Sequence, residues 1–175
     1  MSSIASGPLP APSRRALLRS LAGTLRVQPL SPGALASLRR GTSADVARQA
    51  AFHRLIADVP ESWLADDALL RWATVVQCLA ITGAPASHGE SDGRMLATAG
   101  LTESRFARLL ASHGDGLSDQ LLLVARFLHA KDVRPTWVDL GELVLTDTVL
   151  PARADVIRLV LARDYYRSPS TLAPT

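Results

Sequence analysis

GRMLATAGLTESRFARLL, residues 93–110, reads as two short helices meeting at a turn. Met95, Leu96 and Ala99 lie at near-helical spacing before Gly100, and Phe106, Leu109 and Leu110 recur at i, i+3 and i+4 after it. Gly100 stands where the first helix must stop, because glycine alone takes the left-handed conformation without a Cβ penalty. Thr102 is placed to supply an N-cap hydroxyl to the second helix. Arg94, Arg105 and Arg108 flank the apolar stripe, and Arg105 and Arg108, three residues apart, project from one side of their helix. A tight helical corner rimmed by guanidinium groups suits a surface that meets phosphates.

The rest of the chain keeps to helix. Its 175 residues are 47% hydrophobic and only 5% aromatic, with leucine, alanine and arginine abundant and β-branched residues sparse. The expected fold is therefore all-α: a compact bundle of about seven to nine helices, long enough for one well-buried core or two lobes. Residues 1–12 read as a disordered proline-rich arm. A first helix starts near Ser13 on Leu17, Leu18, Leu21 and Leu25, and a short helical turn follows over 33–40. Thr42-x-x-Asp45 forms a capping box with Asp in place of Glu and opens a helix running through His53, Leu55 and Ile56.

Residues 63–81 are apolar around most of the circumference and read as the longest, most central helix. The polar loop 83–92 divides an N-terminal helical lobe, 13–82, from a C-terminal one, 93–167. In the second lobe a turn at 113–116 leads to a strongly apolar helix over 117–129 with Arg126 on its polar side. A shorter helix covers 137–145, and Pro151 opens the last one. Residues 144–150 are locally β-prone but have no partner strand, and 168–175 should fray.

Catalytic and metal chemistry finds little support. His53, His88, His113 and His129 are never four apart, and no CxxC or HExxH occurs, so neither a metal nor a cofactor is expected. Asp66 and Asp67 are adjacent and point to different parts of a helix surface. No G-x-S-x-G elbow and no phosphate-cradling glycine loop is present. The chain reads as no enzyme. Cys78, alone in WATVVQCLAIT, can form no internal disulfide and fits a reducing cytoplasm as a small buried hydrophobe. No secretory segment is expected, and no membrane span, since Asp66, Asp67 and Arg71 interrupt the longest apolar helix.

That leaves the cations. The net charge is only +3, so any nucleic-acid surface must come from segregating charge onto one face. Lys131 is the only lysine, and arginine suits forked phosphate contacts better. Arg40, Arg54, Arg94, Arg105, Arg108 and Arg126 recur at helix ends or beside apolar stripes, most without an acid at i±4; Arg105 has Glu103 close by. A DNA-reading helix-turn-helix over the central corner is the alternative. Against it, Leu96 occupies a position that motif gives to a small residue, and the recognition helix opens on Glu103.

Four blocks carry a resemblance: ASLRRGTSADVARQAAFHRLI, CLAITG, GRMLATAGLTESRFARLL and VARFLHAKDVRPTWVDL. In this order they resemble the CasB family, the small subunit of the type I-E CRISPR Cascade surveillance complex, over residues 38–166. The telling pieces are Arg-Arg before a capped helix, Phe-x-Arg-Leu, and Gly-Arg-x-Leu-Ala-x-x-Gly followed by Glu-x-Arg. The resemblance implies an all-helical, non-catalytic protein, two copies of which lie along a crRNA-guided complex against its backbone subunits and near its large subunit. There it helps hold crRNA and target DNA, both hybrid and displaced strand. Arg40, Arg54, Arg94, Arg105 and Arg126 match basic positions of these motifs. Arg39 and Arg108 are neighbours added on helical geometry. A pure assembly adaptor, touching no nucleic acid, is the third reading.

Overall fold

Two helices at the centre of the protein show almost no polar surface, and the others are arranged to cover them. The structure is a computed structural model describing residues 13–27, 29–65, 67–85 and 90–168. The arm expected over 1–12, residues 169–175 of the expected frayed tail, Asp66 and His88 lie outside the described residues. In chain order the helices are α1 (Arg14–Val27), α2 (Pro32–Arg39), α3 (Ser43–Ala47), α4 (Ala50–Leu55), α5 (Ala68–Thr82), α6 (Asp92–Thr98), α7 (Glu103–Ala111), α8 (Gly114–Ala130), α9 (Val138–Thr146) and α10 (Pro151–Tyr166). Among the described residues there is no strand, and the fold is all-α as expected.

Helix α5 is buried from Trp72 to Thr82 and packs against α2, α3 and α4 on the N-terminal side and against α8 and α9 on the C-terminal side. It starts later than the sequence suggests, because Glu61–Trp63 closes a separate 3-10 turn after Pro60. The longest helix is α8, with 17 residues. The second departure is a break in the helix expected from Ser43 to Ile56. The Thr42–Asp45 capping box forms, with the Asp45 N–H donating to Thr42 Oγ1 (3.2 Å) and the Thr42 N–H to Asp45 Oδ2 (2.9 Å). Gln49 then turns extended, and its side-chain amide donates to Ser37 O at the end of α2 (3.1 Å). Ser37 O, which also accepts from the Arg40 N–H (3.3 Å), gains a second donor, and the helix divides into α3 and α4.

All nine residues of α9 are buried, including Asp139 and Glu142; Asp147, just after it, is buried too. Buried carboxylates require partners. Arg15 of α1 supplies two, reaching Asp139 and Glu142 at 2.8 Å each, and Arg153 of α10 reaches Glu142 at 2.8 Å. The β-prone segment begins inside this helix, where Val144 and Leu145 join the core, and continues as a turn through 147–149.

The α6–α7 corner forms as a Schellman turn. Gly100 has φ +79°, its N–H donates to Ala97 O (2.9 Å), and the Leu101 N–H donates to Leu96 O (3.0 Å). Thr102 is extended, as a cap should be, but its hydroxyl makes no cap bond and lies 3.3 Å from Ser104 Oγ instead. Gly93 has a role the sequence does not announce. A Cβ there would stand 2.5 Å from the backbone oxygen of Leu161, so only glycine lets α6 lie this close on α10. Gly93→Ala is expected to cost about 1–3 kcal/mol of stability, read as a lower melting temperature, with the helical circular dichroism unchanged at 25 °C.

Asp92, fully buried at the start of α6, caps α9 from across the fold. Its carboxylate accepts from the Thr136 hydroxyl (2.8 Å) and from the N–H groups of Trp137 (3.1 Å), Asp139 (2.9 Å) and Leu140 (3.1 Å). Burial, with the nearby Asp139 charge, still pushes this carboxyl up to about 6. Trp137 is held left-handed (φ 56°) at the cap position, and its indole N–H donates to Thr82 Oγ1 at 2.9 Å. This latch fixes the C-terminus of α5 and the N-termini of α6 and α9 to one another, which positions the corner.

Candidate nucleic-acid interface

Of the eighteen arginines, the 19 basic residues less Lys131, six pair with carboxylates and twelve, the seven candidates among them, form no ion pair among the described residues. Arg15, Arg48, Arg134, Arg153, Arg158 and Arg163 form ion pairs with carboxylates. The seven candidates Arg39, Arg40, Arg54, Arg94, Arg105, Arg108 and Arg126 are all exposed, and among the described residues none of them is ion-paired. An acidic residue close in sequence does not change this. Glu103 accepts instead from the Tyr166 hydroxyl (3.0 Å), leaving Arg105 without a counter-ion.

Helix packing groups these residues. Arg39 and Arg40 end α2 and Arg54 lies in the last turn of α4, and α2, α4 and α5 pack on one another. Arg39 Nε donates to Ala80 O at the C-terminal end of α5 (2.6 Å), so this side chain is partly spent on a helix terminus. Arg126 on α8 lies on the neighbour of α5, close enough to Cys78 for its charge to oppose the burial that raises that thiol. Arg105 and Arg108 share a groove with α8. Arg94 stands in the first turn of α6, which packs mainly on α10 and α9.

Sequence reasoning missed Arg71. On α5 its Nε is buried with no hydrogen-bond partner among the described residues, between two surface cavities that Asp67 and Thr148 also line. A cation inside an apolar helix gives no sequence signal beyond its charge. His113, read as a loop histidine, has its Nδ1 2.9 Å from Asp147, where the carboxylate also takes Arg158 and the Gly114 N–H (2.7 Å).

The fold and surface together describe a helical scaffold with surplus arginine on its helix ends and flanks, rather than side chains converging in a cleft. The family model for the CRISPR-associated protein Cse2 matches residues 34–166, and the chain belongs to that family, the small subunit of type I-E Cascade. It is thus a subunit of a CRISPR Cascade, and its partners are the other Cascade subunits. Neither curated proteins nor solved structures gave a match. The matched stretch starts inside α2, so α1 lies outside it, while all seven candidate arginines lie within it. Among the described residues no helix is long and apolar enough to cross a membrane.

Proposed function

We propose that this chain is the non-catalytic subunit that gives Cascade sequence-independent contacts to the R-loop, on both the RNA–DNA hybrid and the displaced strand. The observation that carries this reading is the set of seven exposed arginines without counter-ions among the described residues, on a scaffold whose buried Asp139, Glu142 and Asp147 are matched by other arginines. Replacing a DNA duplex by an RNA–DNA hybrid is nearly balanced in free energy, so modest backbone contacts tip it. Guide pairing supplies sequence specificity, and an accessory subunit needs only phosphate contacts. Tethering beside a second copy of itself, against the backbone and large subunits, turns weak isolated affinity into useful occupancy.

A random-sequence DNA selection tests the reading. The expected outcome is a featureless pool whose binding weakens with salt, with a log–log slope of about −3.5 if five arginines meet a single strand. An enriched motif would instead indicate a helix-turn-helix regulator, and no binding at low salt an assembly adaptor. The packing favours the first less, since the principal neighbours of α6 are α10 and α9 and not the would-be recognition helix α7.

A further inference from the structure

The groove between α7 and α8 differs from the rest of the basic surface because it has an apolar floor. It encloses about 280 Å³, with Arg105 and Arg108 on its α7 side and Gln120, Leu123, Val124 and Phe127 on its α8 side. Leu123 is 54% exposed although it sits in the apolar run LLLVARFL, and Phe127 is half-buried. No carboxylate lines the groove. Glu103 is engaged by Tyr166, and Asp119, next to Gln120, lines a separate cavity with Asp115. The site therefore combines one aromatic ring, one exposed leucine and two guanidiniums without counter-ions.

We propose that this groove seats one unpaired base of a single-stranded nucleic acid, with the flanking phosphates held by Arg105 and Arg108. A nucleotide is the ligand class that joins a flat apolar face to an anion on either side, and every base has such a face. In a duplex or hybrid those faces are hidden by stacking, so the groove selects the single strand. A partner helix would need apolar anchors at i, i+3, i+4 and i+7. Here the exposed floor spans one turn, from Leu123 to Phe127, which is too short for that. The proposal rests on the R-loop reading and narrows it: Arg39, Arg40 and Arg54 meet phosphates of either strand form, while the α7–α8 groove meets the displaced strand.

The test measures binding of the full chain to a labelled twelve-nucleotide oligothymidine, to the same backbone with every base removed, and to an RNA–DNA hybrid of equal length. Wild type should bind the oligothymidine about fivefold or more tightly than the abasic strand. Leu123→Ala should remove most of that difference and leave abasic binding, hybrid binding and the salt slope unchanged. Phe127→Leu, which keeps an apolar side chain and removes the ring, guards against a packing defect and should act in the same way. Equal affinity of wild type for the two strands overturns the base seat, as does a uniform loss over all three ligands in both variants. So does unchanged nucleic-acid binding with poorer incorporation into Cascade, which would assign the groove to a protein segment. Arg40→Glu with Arg54→Glu, outside the groove, separates the two levels. If that pair weakens every ligand while the base preference is absent, only the seat falls; if it has no effect either, the R-loop reading falls with it.

Discussion

Arg158→Ala should lower the melting temperature by about 10 °C or more. The Arg158 side chain is 12% exposed and performs three tasks. It pairs with Asp147, its Nε donates to Leu110 O (2.9 Å), and its Nη2 donates to Ser112 O (3.1 Å), which ties α10 to the end of α7. Burial alone would raise the Asp147 carboxyl. The bonds from Arg158, the Gly114 N–H and His113, with the Arg158 charge, outweigh it and hold the group below the usual carboxylate range. Truncating the arginine strands a carboxylate that is 2% exposed and leaves two carbonyls without their donor. Breaking one partner of such a pair costs about 3–5 kcal/mol, a large part of the roughly 5–15 kcal/mol that holds a domain folded. Stability from Asp147 is present above the ordinary carboxylate pKa and is lost as pH falls through its lowered folded value, so the gap between wild type and variant should narrow in acid. Adding Asp147→Leu to the variant should recover part of the loss, because the stranded charge goes with it. A melting temperature unchanged in Arg158→Ala would contradict this account of the α7–α10 junction.

What the sequence shows and what it hides divide along the same line. The Schellman turn at Gly100, the Thr42–Asp45 box and the start of α10 at Pro151 were legible because each is decided within a few residues. The burial of α9 was not. Asp139 and Glu142 look like solvent charges until Arg15, 127 residues from Glu142, is brought against them by tertiary packing. For the same reason periodicity cannot tell Arg15, which is spent on buried acids, from Arg94, which is free of them. Gly93 reads as a boundary residue, and only the distance to Leu161 O shows that it is a helix-packing contact. In the candidate interface, exposure of the seven arginines follows from their place off the apolar stripes. The Tyr166 hydroxyl donated to Glu103, the engagement of Arg39 by α5 and the exposure of Leu123 follow from neighbours distant in sequence. The grouping of the arginines was accordingly the part least visible in the chain.

Charge reversal at Arg94 and Arg105 is the second large effect. Both side chains are exposed and form no ion pair among the described residues, and the Arg94 backbone N–H donates to Ser91 Oγ (3.4 Å) at the helix start. Arg94→Glu with Arg105→Glu should therefore leave the helical fold in place while replacing the two proposed phosphate contacts by repulsive ones. A hydrogen bond to a charged group is worth about 1.5–3 kcal/mol, and in a nearly balanced strand exchange the loss of two should shorten the bound state tenfold or more. The decisive measurement is the R-loop lifetime in fully assembled Cascade carrying either wild type or this double variant. The account predicts a lifetime at least about tenfold shorter for the variant, with assembly and fold intact. Equal lifetimes in the two complexes would contradict it.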